Sequence, residues 1–112
     1  MAYPPLIVMP VSQLDSAKAV YRALLGVDPY VDSAYYVGFK AGEGEIGLDP
    51  NGTVGPLPYW DVESLDESIA SLTAAGATVT QPPAEVAPGL IIAVLADVDG
   101  NPIGLRYTAT QG

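Results

Sequence analysis

Histidine and cysteine are both absent from this chain of 112 residues. Without histidine there is no imidazole general acid or base, and the commonest transition-metal ligand is missing. Without cysteine there are no disulfides, thiolate metal sites or thiol nucleophiles, and nothing marks the redox compartment. Carboxylates, tyrosine and backbone carbonyls remain as donors, a set suited to calcium or magnesium. Positive charge is also scarce. Lys18, Arg22, Lys40 and Arg106 stand against 13 acids, for a net charge of −9. Four scattered cations cannot neutralise a phosphate backbone or hold an anionic bilayer surface, which argues against nucleic acid and against membranes. No apolar run approaches the ~20 residues of a spanning helix. The opening Met1-Ala2-Tyr3-Pro4-Pro5 has no basic segment leading into an apolar one, so a cytoplasmic setting is expected.

Apolar residues are plentiful at 49%, enough for the core of one domain spanning 1–112. Ile7 to Val11 reads as a strand. Leu14 to Leu25 reads as an amphipathic helix with Leu14, Ala17, Val20, Tyr21, Leu24 and Leu25 on its apolar side and Gly26 just past its end. Tyr35 to Lys40 and Glu45 to Asp49 form a hairpin about Gly42-Glu43. A loop rich in breakers, Pro50 to Pro56, then divides a first module, about 1–50, from a second, about 57–112. There the plan recurs: strand Leu57 to Val62, helix Leu65 to Ala75 opened by Ser64 and Glu67 at capping-box spacing, and strand Ala77 to Thr80. A Pro-rich loop follows from Gln81 to Gly89. Leu90 to Ala96 is a strand apolar enough to be buried on both faces, and Pro102 to Thr108 is the last. A shift of 51 superposes Leu6 on Leu57, Leu14 on Leu65 and Ala19 on Ala70, while Ile46-Gly47-Leu48 recurs as Ile103-Gly104-Leu105. Two βαβββ modules, each too small to bury its own sheet, are expected to share a core.

Alternation along the strands sorts the side chains into two faces. Hairpin partners that sum to 85 place Phe39 opposite Ile46, Val37 opposite Leu48 and Gly38 opposite Gly47. The apolar face (Val37, Phe39, Ile46, Leu48) belongs under the helix. The other carries Tyr36, Gly38, Gly47 and Asp49, and two facing glycines weaken a sheet unless something needs the room. In the other strands the non-helical side takes Leu6, Val8 and Pro10, then Leu57, Tyr59 and Asp61, then Gly104 and Arg106, while Trp60 falls under the helix with Pro58 and Val62. The expected surface is apolar and aromatic, with gaps at glycine and a few polar tips, as suits a small organic molecule.

These residues resemble a known family. Pro10-Val11-Ser12-Gln13-Leu14-Asp15 leading to Tyr21-Arg22-Ala23-Leu24-Leu25-Gly26 is similar to the opening of the vicinal-oxygen-chelate superfamily, which contains glyoxalase I, bleomycin-resistance proteins and extradiol dioxygenases. Asp61-Val62-Glu63-Ser64-Leu65-Asp66 resembles its second module opening. Asp97-Val98-Asp99-Gly100-Asn101-Pro102 resembles its closing turn. The resemblance implies an α+β fold of two βαβββ modules forming a half-open curved sheet with helices on the outer face, usually completed in a homodimer. It implies divalent-metal ligands at four strand positions, which here are Leu6, Gly47, Leu57 and Gly104. None of these side chains can ligate a metal, so glyoxalase and dioxygenase activity are not expected. Neither a metal nor any other cofactor is.

The candidate ligand-binding residues are Leu6, Val8, Tyr36, Gly47, Asp49, Leu57, Tyr59, Asp61, Gly104 and Arg106, with no catalytic set. Tyr36 and Tyr59 suit stacking on a flat or cationic group, or else support a dimer contact. Arg106 either fixes a ligand anion or pairs with Asp61 or Asp49. Asp97, Asp99 and Asn101 begin like a calcium loop, but position 12 is Thr108 rather than a bidentate Glu, so a turn is expected. The acidic balance either solvates the surface or steers a cationic ligand. The function expected is metal-independent binding of a small molecule (aromatic or amphipathic, cationic drugs included), of the bleomycin-resistance kind. A metal-free lyase or isomerase, or a structural dimer without ligand, are the alternatives.

Overall fold

A computed structural model describes residues 5–52 and 55–109. The opening residues 1–4, and Thr53 and Val54 of the breaker-rich loop, lie outside them. The elements run β1 (Leu6–Pro10), α1 (Leu14–Leu25), β2 (Val31–Asp32), β3 (Val37–Ala41), β4 (Gly44–Asp49), β5 (Leu57–Asp61), α2 (Leu65–Ala74), β6 (Thr78–Ala87), β7 (Leu90–Ala96) and β8 (Pro102–Thr108). Each half is β-α-β-β-β, an α+β arrangement. β1 and β5 both start 51 residues apart, as do α1 and α2. By compactness the described residues divide into 5–58 and 59–109.

The first unit has strand order β2-β3-β4-β1. β3 and β4 pair antiparallel in the register the summing rule requires, Phe39 to Ile46, Val37 to Leu48, Gly38 to Gly47 and Lys40 to Glu45. β1 lies parallel to β4, with Leu6 beside Glu45 and Val8 beside Gly47. The short β2, which the apolar pattern did not mark, pairs with Gly38 and Val37. Val37, Phe39 and Leu48 are fully buried. Met9, Val11 and Ile46 pack on them, together with Leu14, Ala17, Tyr21 and Leu25 of α1. Two residues expected on that helix face are not there. Val20 is 63% exposed and Leu24 72%, because a twelve-residue helix against a four-stranded sheet buries one narrow stripe. Gly26 ends α1 in the left-handed conformation (φ 71°), its N–H bonded to Arg22 O.

In the second unit the order is β5-β8-β7-β6. Leu65, Ala93, Leu95 and Leu105 form its core, with Val62, Ile69 and Leu72 among the side chains packed on it. Trp60 is half-buried beside the core residue Leu105, on the side of the sheet expected of it. Ser64 caps α2 by accepting the Glu67 N–H at 3.2 Å. The segment expected to be a Pro-rich loop is instead most of β6. An outermost strand tolerates Pro82 and Pro83 because the side away from β7 has no ladder to satisfy, and the register shifts between Gln81 and Ala84 where they fall. β7 is fully buried only over Ala93, Val94 and Leu95, since its exposed hairpin partner Thr80–Pro88 leaves its first half partly open. Among the described residues, no helix is long and apolar enough to cross a membrane.

Candidate functional site

In the first unit, the sheet face turned away from α1 has no side chain at Gly38 or Gly47, and the chain uses the room itself. Two tyrosine rings lie there. A Cβ built on Gly47 would fall 2.7 and 2.9 Å from Cζ and Cε1 of Tyr36, and nearer still to its phenol oxygen. One built on Gly38 would meet Cε1 of Tyr30 at 3.2 Å and Cε2 of Tyr36 at 3.3 Å. The glycine gaps expected from the sequence are therefore filled, and glycine is required because aromatic rings press against the backbone. A tight turn aims Tyr36 inward. The N–H groups of Tyr35 and Tyr36 donate to Ser33 Oγ at 3.2 and 3.1 Å, and the Ser33 N–H donates to Tyr36 O at 3.0 Å.

Tyr30 is a member of this face that strand alternation could not reveal, because it sits in the connection ahead of β2. Its backbone N–H donates to Gly38 O at 2.9 Å. Its phenol donates to the Glu45 carboxylate, and Lys40 Nζ stands 4.9 Å from the ring centroid. Leu6, Val8 and Asp49 share the face by register and are half-buried. Asp49 is partly engaged, its Oδ1 accepting the Asn51 N–H at 2.9 Å.

The second unit fills its glycine in the same way. Tyr59 lies beside Gly104 in the parallel pair, and a Cβ on Gly104 would come within 2.7 Å of Tyr59 Cε1 and 2.8 Å of Cγ. Tyr59 is only 9% exposed, and Leu57 is buried as well. Asp61 and Arg106 are register partners. The guanidinium is bidentate on the carboxylate, Nε to Oδ1 at 2.7 Å and Nη2 to Oδ2 at 3.4 Å. Of the pairings weighed from the sequence for Arg106, the Asp61 one is formed. Lys18 pairs with Asp32 and Arg22 with Asp28, so each of the four Lys and Arg side chains lies against a carboxylate or, for Lys40, a tyrosine ring.

Two concavities, of about 360 and 320 Å³, open in the second unit. The larger is bounded by Glu63 to Asp66 with Pro83, Ile91 and Tyr107, the smaller by residues of α2 with Val62 and Leu105. Neither contains any of the ten candidate residues. The acidic loop after β7 is a turn. Asp97 Oδ1 accepts the N–H groups of Asp99 and Asn101, Oδ2 accepts Asn101 Nδ2, and Gly100 takes φ 85°. Those bonds, led by the Asn101 side chain, hold the Asp97 carboxyl below its ordinary value of 3.8. Among the described residues, no three His, Cys, Asp or Glu side chains gather as metal ligands would.

No protein-family model matches the sequence, and no curated protein does. Solved structures match it over nearly its whole length. A hypothetical protein from Bacillus halodurans C-125 is 15% identical, with 99% of this chain and 97% of that one covered and a TM-score of 0.77. A methylmalonyl-CoA epimerase from Streptomyces coelicolor, in complex with 2-nitronate-propionyl-CoA, gives 0.70 at 17% identity over 96% and 97%. The Mn(II)-bound glyoxalase from Novosphingobium aromaticivorans gives 0.71 at 21% identity, covering all of this chain and 43% of that one.

The fold is that of these glyoxalase and methylmalonyl-CoA epimerase structures. Within that fold, the four positions the resemblance marks for metal ligands hold two leucines and two glycines, and tyrosine rings press on both glycines. None of those four residues carries a donor atom in its own side chain.

Proposed function

We propose that this protein belongs to the vicinal-oxygen-chelate superfamily and binds a small organic molecule without a metal, in the manner of a bleomycin-resistance protein. What supports the proposal is the apolar and aromatic face of the first unit, where Tyr36 lies over Gly47 beside the half-buried Leu6 and Val8. Aromatic surface stands where coordination chemistry would need donors, and aromatic surface binds apolar, flat or cationic groups. In the first unit Tyr36, with Leu6, Val8, Gly47 and Asp49, forms the receiving surface. In the second, Tyr59 and Gly104 are buried and the Asp61–Arg106 pair is the polar tip, so a ligand engages them only as the Tyr59 ring moves.

The test is a set of titrations monitored by amide NMR and by thermal shift, using flat aromatic acids, aromatic amines and glycopeptide antibiotics. A binder should move the Gly38 and Gly47 resonances, and Tyr36→Ala should abolish the effect. Added manganese, nickel or zinc, and EDTA, should leave the melting temperature unchanged. A stoichiometric, EDTA-sensitive metal would overturn the proposal. A metal-free lyase or isomerase has less support, since the Asp61 carboxylate is tied to Arg106; turnover lost in Tyr59→Phe and Asp61→Asn would reinstate it. We further propose that the chain is a homodimer, and light scattering that gives a monomer mass at micromolar concentration would reject this.

A further inference from the structure

We infer that Tyr30 and Glu45 form a seat for an organic ammonium group, which Lys40 occupies when no ligand is bound. The inference rests on the small-molecule reading above and names the ligand's charged end. The Tyr30 ring is braced by the bare backbone of Gly38, its phenol donates to the Glu45 carboxylate, and half of the residue is exposed. A ring with a carboxylate at its edge offers a cation both things it seeks, the negative π-face and a counter-charge.

The chain already places a cation over the ring. Lys40 Nζ is 4.9 Å from the ring centroid. Among the described residues it is also the one basic side chain without a carboxylate inside ion-pair distance, Lys18, Arg22 and Arg106 each having one. Lys40 lies on exposed strand surface directly across from Glu45. Its long side chain can swing into water at little cost, because an exposed ammonium remains solvated and regains rotamer freedom. A ligand cation that brings an apolar or methylated body is more weakly hydrated than a primary ammonium, so it gains more from the ring. The net charge of −9 raises the local concentration of any such cation. The ligand class is therefore a substituted or quaternary amine.

The probe is choline, compared with its neutral isostere in which a tert-butyl group replaces the trimethylammonium. Both are titrated into nitrogen-15-labelled protein. Choline should shift the amides of Tyr30, Gly38 and Glu45 while the isostere leaves them still. Lys40→Met should tighten choline binding about threefold by removing the competing cation, which is the scale of one exposed cation–ring contact. Tyr30→Leu should abolish binding, and Tyr30→Phe, which keeps the ring, should retain most of it. Equal binding of the isostere, or a Lys40→Met variant that binds choline no more tightly, overturns the inference. If neutral aromatic probes shift Gly47 while choline shifts nothing, the seat is wrong and the small-molecule reading stands. If no probe shifts any resonance, both fall.

Discussion

The phenol of Tyr36 occupies the space that the first side-chain atom of any residue but glycine would claim at position 47. Gly47 is buried in β4 and its φ lies outside the left-handed range, so the requirement for glycine is steric. Gly47→Ala should then destabilise the protein by about 1–3 kcal/mol through overpacking. In a Tyr36→Phe background, where the nearest atom is gone, the same change should cost less by at least about 0.5 kcal/mol, the coupling expected of residues in contact. Urea unfolding of the four proteins in the cycle measures it, and additive costs would mean that the ring turns aside freely.

Tyr59 and Gly104 make the reciprocal experiment possible. Tyr59→Ala removes a buried ring and should cost about 3 kcal/mol, in the range for an aromatic truncated in a core. It also leaves a ring-sized space over a glycine. Para-cresol at millimolar concentration should then raise the melting temperature of Tyr59→Ala by several degrees more than that of the parent, since a ligand that binds only the folded form stabilises it. Equal shifts in both proteins would show that the space collapses.

Strand register was readable from the chain because the hairpin turn and the alternation of Val37, Phe39, Ile46 and Leu48 admit one pairing only. The internal repeat made both helices and the opening strand of each half legible, while the parallel pairing of those strands left no mark in the spacing. The reading of Gln81 to Gly89 as a loop failed because Pro82 and Pro83 are breakers inside a sheet but not on its outermost strand. Tyr30 is not legible in the sequence, because it is placed by a backbone bond to Gly38 and a phenol bond to Glu45, and neither leaves a periodic trace. The facing glycines were rightly marked as positions where something needs room. What sequence spacing could not convey is that the occupant is a neighbouring tyrosine, because that depends on how the Ser33 turn aims the ring.

The Asp61–Arg106 pair should contribute modestly to stability. Its guanidinium is 22% exposed and its carboxylate 59%, so water screens most of the attraction. A double-mutant cycle with Asp61→Asn and Arg106→Met should give a coupling of about 0.2–1 kcal/mol that shrinks as salt is raised. Arg106→Lys should lose most of that coupling, because an ammonium cannot reproduce the two-pronged contact. A coupling of several kcal/mol would mean that the pair is far drier than its exposure indicates.

Asp97 should make part of the stability acid-sensitive, in a direction fixed by its hydrogen bonds. The Asn101 side chain and the backbone N–H groups of Asn101, Asp99 and Gly100 favour its ionised form, and the folded carboxyl lies below 3.8. A group whose pKa is depressed on folding binds fewer protons in the native state, so its contribution is present in full above the unfolded value and is lost as pH falls through the folded one. The stability difference between the parent and Asp97→Asn should therefore be constant from neutral pH down to about pH 5, then narrow through pH 4 and below. Paired urea titrations at steps of pH measure it. An unchanged difference at pH 3 would show that the turn holds the neutral carboxyl as well as the carboxylate, and that its geometry, rather than its charge, stabilises the end of β7.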